Sequence, residues 1–218
     1  MSAAEAYDAL MLDYAAGTLG PARMLLVETH LRLQPSAMEG LSALDAAGGA
    51  LLEDIDPAEV SALPLPGLQS GAAGAPAPAG GAHGAGARRG GKHADKMVEA
   101  LALIEAASRH PGNLSWRWRA PGLRELKLPI SGASLIRLQG GKALAPHDHT
   151  AEEVTLVLRG GFSDKAGHYD VGDIAFADVG FDHSPLVPPG DDCVCLVAME
   201  GALKFHGLLA RVAARLLA

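Results

Sequence analysis

His147, Asp148 and His149 are followed four residues later by Glu153, within the run GKALAPHDHTAEEVTLVLRG from Gly141 to Gly160. Side chains two apart on a strand point to one face, so His147 and His149 can aim two imidazoles at one point. Glu153, just past a turn, can add a carboxylate oxygen. His183 comes 30 residues further on, in VGDIAFADVGFDHSP, where a neighbouring strand of a small barrel would begin. Three nitrogens and one oxygen suit zinc, and also non-haem iron, manganese, nickel or copper.

Strands are needed to hold such a cluster, and the sequence supplies them from about Trp116 onward. The segments ASLIRLQ, EVTLVLRG and DCVCLVAM alternate or run apolar, separated by glycine, aspartate and proline. Short strands at even spacing predict an all-β sandwich or barrel. Cys193 and Cys195 fall on one face of the last of these and read as buried structural thiols. A disulfide between strand neighbours is disfavoured by geometry.

The N-terminal part reads as helices. Leu10, Met11, Tyr14 and Thr18 lie at helical spacing, and Gly20–Pro21 ends one helix and opens the next. Met24, Val27 and Leu31 continue the period. A third helix opens near Pro35, with Met38, Leu41, Leu44, Gly48 and Leu52 aligned. HADKMVEALALIEAAS forms a fourth, and the four together can close a small bundle. Between them, GAAGAPAPAGGAHGAGARRGG has no face that could form a core and reads as a linker. The expected organisation is a helical domain over 1–70 and 92–112, a linker over 71–91, a β-domain over 113–205 and an amphipathic helix over 206–218.

The chain has 218 residues and a net charge of −7, with no apolar run of the roughly 18 residues that a membrane span requires. No basic and then apolar leader is present, so the expected location is the cytoplasm. Residues 1–62 hold ten acids against two bases, Arg23 and Arg32. Such a surface repels nucleic acid and attracts a basic protein.

The histidine run resembles the first cupin motif, with Gly141, His147, His149, Glu153 and Gly160 at its spacing. Gly172, Gly180 and His183 resemble the second motif, although Asp178 and Val187 replace its usual proline and asparagine. The resemblance implies a double-stranded β-helix with His147, His149, Glu153 and His183 as ligands of a divalent metal, zinc foremost.

A second resemblance covers nearly the whole chain. LMLDYAAGTLGPARMLLVETHL, SWRWRAPGLRELKL and CVCLVAMEGALKFHGLLARV are similar to the ChrR family of zinc-binding anti-sigma factors. It implies an α+β multidomain protein, a small helical bundle followed by a cupin barrel. The helical part would sequester an extracytoplasmic-function sigma factor and release it on an oxidative signal sensed by the cupin. No direct nucleic-acid or membrane contact is implied, and a homodimer through the cupin is a further candidate assembly. Family members also hold zinc among the helices, through an N-terminal histidine and an H-x3-C-x2-C motif. Here only His30 remains, Gln34 and Ala37 stand at the cysteine positions, and Glu5 lies where the first histidine would fall. A closed structural zinc site needs four nitrogen or sulfur ligands, so no zinc is expected there, and His30 is expected to be a partly buried helix residue. Leu10, Met11, Leu25, Leu26, Leu41 and Leu44 must then hold the bundle by apolar packing.

The protein is therefore expected not to be an enzyme. The alternatives are a dioxygenase-like cupin metalloenzyme, or a ligand-binding cupin with a vestigial helical domain. An enzyme would need an acid–base group near the metal. Asp164 and Asp182 are near in sequence but read as turn residues.

Overall fold

The structure, a computed structural model, describes residues 1–53, 55–56, 91–180, 183–199 and 203–205, with the backbone alone at 91–93, 148–149 and 203–205. All but the last residue of the expected linker, and the expected C-terminal helix, lie outside the described residues.

Four helices form, α1 (Ala3–Ala15), α2 (Pro21–Leu33), α3 (Ala37–Glu53) and α4 (Gly91–Arg109). Helix α1 starts with a capping box, in which Glu5 N donates to Ser2 Oγ and Ser2 N donates to Glu5 Oε2. It ends before Thr18, which the periodicity places on its face. Thr18 Oγ1 instead bonds back to the Asp13 carbonyl beyond the helix end. Pro21 occupies the first turn of α2, where its missing N–H is not needed.

The strands are β1 (Arg117–Ala120), β2 (Leu123–Lys127), β3 (Ala133–Leu138), β4 (His147–His149), β5 (Glu153–Arg159), β6 (Phe162–Ser163), β7 (His168–Tyr169), β8 (Ile174–Ala177), β9 (Cys193–Met199) and β10 (Leu203–Phe205). Six of them form one antiparallel sheet in the order β1-β2-β3-β9-β5-β8. The pairs β4–β10 and β6–β7 make two smaller sheets. Isolated bridges, Ala143 to Leu186, Ser163 to Leu186 and His147 to His183, tie the shorter segments together.

The apolar runs in β5 and β9 now have a physical explanation. Val154, Leu156 and Leu158 of β5, with Val194, Leu196 and Ala198 of β9, lie in the same apolar cluster as Leu25, Leu26 and Ile104 of the helices. The alternate residues Val157, Cys193, Cys195 and Val197 belong to a second cluster inside the β-domain. Strands covered on both faces read as continuous apolar runs rather than as alternation. Helices α2 and α4 lie against β5 and β9, while α1 touches α2, α3 and β8. The four helices expected are present, but α4 lies on the sheet instead of closing a bundle with the other three, and all of them share their core with the sheet.

Glycines set the motif spacing. Gly141, Gly160, Gly172 and Gly180 all have positive φ, at 72°, 66°, 94° and 76°. At Gly160 a Cβ would also come within 2.9 Å of the Asp192 carbonyl oxygen. A side chain there is excluded by both conformation and space.

Of the six expected core residues in the bundle, Leu10, Met11, Leu25, Leu26 and Leu41 are buried, and Leu44 packs against them in part. The aligned face of α3 departs from expectation at its two ends. Met38 is exposed, and Leu51 and Leu52 are 70% and 68% exposed. Ala37, Leu41 and Leu44 reach the neighbouring elements, while Met38, Leu51 and Leu52 face solvent.

Leu26→Ala should cost about 3 kcal/mol, as expected for deleting a fully buried leucine side chain. In urea, helical circular dichroism and the fluorescence of Trp116 and Trp118 should shift to a common lower midpoint. Separate midpoints would show that helices and sheet do not share a core.

Candidate functional site

His147 and His183 face each other across an antiparallel bridge. His147 N donates to His183 O at 3.1 Å and His183 N to His147 O at 3.0 Å. Their imidazoles are consequently close, with ring centroids 4.4 Å apart, and both residues are buried. Each Nδ1 is engaged. That of His147 lies 3.0 Å from the Ala145 carbonyl oxygen, and that of His183 lies 3.2 Å from Asp164 Oδ2. A carbonyl or a carboxylate can only accept, so both rings carry their proton on Nδ1. Nε2 is then the nitrogen with coordinating capacity.

Glu153 opens β5, in register with Ala177 of β8 and Met199 of β9. Its carboxylate lines the same cavity as the two imidazoles, together with Thr155, Asp164 and Cys195. The Thr155 hydroxyl donates to Glu153 Oε1 at 2.9 Å. Burial pushes the Glu153 carboxyl up to about 7, against the smaller lowering effect of that hydroxyl. The remaining walls are apolar, from Leu123, Ile136, Leu138, Phe162 and Val197, and the cavity measures about 50 Å³. One water-sized sphere needs roughly 10–15 Å³, so the space suits an ion with a few small molecules.

The structure thus brings three of the four candidate ligands, His147, Glu153 and His183, to one cavity. His149 lies two residues along β4, opposite Leu203 of β10; its side chain is outside the described part. Among the described residues no three His, Cys, Asp or Glu side chains are grouped closely enough to hold an ion. The chemistry of the donor set nonetheless fits a divalent metal, with imidazoles fixed in the coordinating tautomer and a carboxylate on the wall of the same cavity.

Asp164 is the residue that sequence reading missed. It is the turn residue expected, since its Oδ1 accepts from Ala166 N and Gly167 N. Its other oxygen holds His183, and its side chain is only 4% exposed. A turn signature conceals the second role, because one carboxylate has an oxygen for each. Asp182, expected in a turn as well, lies outside the described residues. Cys193 and Cys195 are buried free thiols with Sγ atoms 3.5 Å apart. The Cys195 thiol is pushed well up, first by the neighbouring Cys193 and then by burial, so it stays protonated.

His30 is more than a partly buried helix residue. At 5% exposure it bridges two elements, with Nδ1 2.9 Å from the Gly172 carbonyl oxygen and Nε2 3.0 Å from the Tyr7 hydroxyl. Burial holds it below the usual histidine range, against the raising effects of the Gly172 carbonyl and Asp173. Gln34 and Ala37, at the places where cysteines would stand, line an open groove beside it.

The sequence profile described as the ChrR cupin-like domain matches residues 107–203. The anti-sigma-E factor ChrR of Cereibacter sphaeroides (strain ATCC 17023) is 35% identical over 211 residues, which span 94% of this chain and 93% of that protein. The crystal structure of Rhodobacter sphaeroides SigE in complex with the anti-sigma ChrR is similar in fold, with a TM-score of 0.63 and 33% identity. The match covers 88% of this chain and 96% of that one.

The raised Glu153 pKa predicts a pH dependence for the metal-free protein. In the unfolded chain the carboxyl releases its proton near 4.5, whereas the folded protein retains it to about 7. The folded form binds more protons in that window. Stability should therefore fall as pH rises through it, by roughly 3 kcal/mol in all, and level off above it. Denaturation midpoints across that range should show the slope in the wild type and lose it in Glu153→Gln.

Proposed function

The chain belongs to the ChrR family of anti-sigma factors, and we propose that it sequesters an extracytoplasmic-function sigma factor through its helical half. The β-domain would hold a divalent metal, with zinc preferred, on His147, His149, Glu153 and His183. An oxidative-type signal sensed at that cavity would release the sigma factor, and the complex would form in the cytoplasm. The exposed apolar face of α3 carries this reading. Leu51, Leu52 and Met38 stand in solvent on a helix that also bears Glu39, Asp45 and Glu53. Exposed apolar side chains at both ends of one helix, with acids beside them, suit a partner with apolar pockets and a basic rim.

Three observations support a regulator rather than a catalyst. Relatives match along both halves of the chain, not along the β-domain alone. The cavity is far below the roughly 300–1,000 Å³ of typical small-molecule sites. In addition, the polar groups on its wall have structural tasks in this fold, since Asp164 orients His183 and Thr155 binds Glu153. A bound divalent ion would supply a fixed positive charge that binds the Glu153 carboxylate and two Nε2 atoms. Helix packing against the sheet needs no such ion, so the helical half would fold without zinc. Among the described residues no helix is long and apolar enough to cross a membrane.

The first test is co-expression of the full chain with extracytoplasmic-function sigma factors of its native organism, followed by purification on a tag. One sigma factor should be recovered in stoichiometric amount. Leu51→Asp/Leu52→Asp should weaken that complex by at least about tenfold in titration calorimetry, since it places two charges in an apolar contact. Unchanged affinity would remove α3 from the interface. Asp164→Asn should lower zinc affinity by roughly 10- to 100-fold with the fold retained, because a carboxylate that orients a ligating histidine is lost. Competition with a chromogenic chelator measures it, and unaltered affinity would show that His183 does not ligate.

A further inference from the structure

Helix α2 touches the β-domain with directional contacts at two places. Arg23 and His30 are seven residues apart, hence about two turns along one face of the helix. The Arg23 guanidinium pairs with the Glu152 carboxylate, both side chains being about one-third exposed. His30 Nδ1 donates to the Gly172 carbonyl, while its Nε2 accepts from Tyr7 of α1. Gln34, just past the helix end, presses on the same turn. Its Nε2 lies 3.5 Å from the Val171 carbonyl oxygen, and a Cβ on Gly172 would come within 2.5 Å of it.

Both contacts fall on the strand pair that carries the buried carboxylate. Glu152 immediately precedes Glu153 at the start of β5. Gly172 and Asp173 lead into β8 and are bonded to the far part of β5, with Gly172 N to Val157 O at 2.9 Å and Val157 N to Asp173 O at 3.1 Å. From there β8 runs back along β5 until Ala177 stands opposite Glu153, and Ala175, Phe176 and Ala177 all line the cavity. Helix α2 therefore bridges the β5–β8 ladder from one end to the other. A hydrogen-bonded strand pair moves as a unit, and close-packed elements shift together instead of deforming. A change in the position of Glu153 is communicated to Glu152 through the chain and to Gly172 through the ladder.

We propose that α2 is the element through which a change in the cavity reaches the helices, acting through the Arg23–Glu152 pair and the His30–Gly172 hydrogen bond. Arg23 and His30 are positioning residues in this coupling. The inference rests on the proposed function only for what the helices then do to a partner. The coupling is between two parts of this chain and can be measured without one.

The experiment is amide hydrogen exchange, read by mass spectrometry, on the full chain with zinc ions or with chelator. In the wild type, zinc should slow exchange in β5, in β8 and in α2. In Arg23→Ala/His30→Ala the slowing should persist in β5 and β8 but fall by about fivefold in α2. The charge exchange Arg23→Glu/Glu152→Arg, with His30 intact, should restore the α2 response. That restoration separates loss of the contact from loss of the fold, and it remains decisive if the double alanine variant does not fold. A full α2 response in the double alanine variant, or a wild-type α2 that ignores zinc while β5 and β8 respond, would overturn the proposal. If native mass spectrometry shows no zinc uptake, the metal reading fails by itself. Glu153→Gln then provides the change in the cavity, and α2 exchange with and without Arg23 and His30 shows whether the coupling exists.

Discussion

Burial of β5 and β9 on both faces is the constraint from which the rest of the molecule follows. Their alternate side chains go to two different cores, one under the helices and one around the cavity. Removing α2 and α4 would expose the outer row of Val154, Leu156, Leu158, Val194, Leu196 and Ala198. Each large apolar side chain among these is worth roughly 1.5–3 kcal/mol on burial, so the helices are held to the sheet by a large sum of small terms. The same strands carry Glu153 and Cys195 on their inner face. The wall of the cavity and the bed of the helices are thus two sides of one layer.

That constraint also accounts for what could be read from the sequence. The bounds of β5 and β9 match the apolar segments almost residue for residue, because a strand buried on both faces leaves an unbroken apolar run, while β3 was legible from its alternation. The motif glycines were legible because their positive φ excludes other residues. Three of the four candidate ligands met at one cavity because strand pleat and the intervening turns fix their spacing. Other features left no local trace. Asp164 looks like any turn aspartate until His183 is seen beside its second oxygen. The exposed ends of α3 have the periodicity of a buried face, and periodicity reports only that a stripe is apolar, not what covers it. The His30 contact joins positions 142 apart in sequence to a backbone carbonyl, which has no side-chain identity to reveal it.

The helical half shows a second means by which short helices can be held. A zinc clip fixes short helices by a few strong bonds from within. In this chain the sheet supports the helices from outside, with α2 and α4 lying against β5 and β9. Leu25, Leu26 and Val27 are consecutive and all fully buried, so α2 is enclosed on several sides at once. No single stripe of a surface helix would allow that. His30 fits the same pattern, for its two ring nitrogens serve α1 on one side and the β-domain on the other. A ring held below its usual pKa remains neutral at neutral pH, so it can donate from one nitrogen and accept at the other.

The two kinds of contact between helices and sheet have different consequences for signalling. Apolar contacts are non-directional, and a shift of a fraction of an ångström within them changes the energy little as long as no void opens. They keep the helices in place whatever the state of the cavity. Hydrogen bonds weaken steeply with distance and angle, so they register displacements that the apolar core absorbs. The core supplies many contacts of the first kind, and α2 meets the β5–β8 pair at two places through the second. A cavity of about 50 Å³ with Glu153 at its wall offers only small changes, such as an ion bound or lost. Changes of that size act through contacts that depend on direction, which places Arg23 and His30, and not the larger apolar interface, between the cavity and the exposed face of α3.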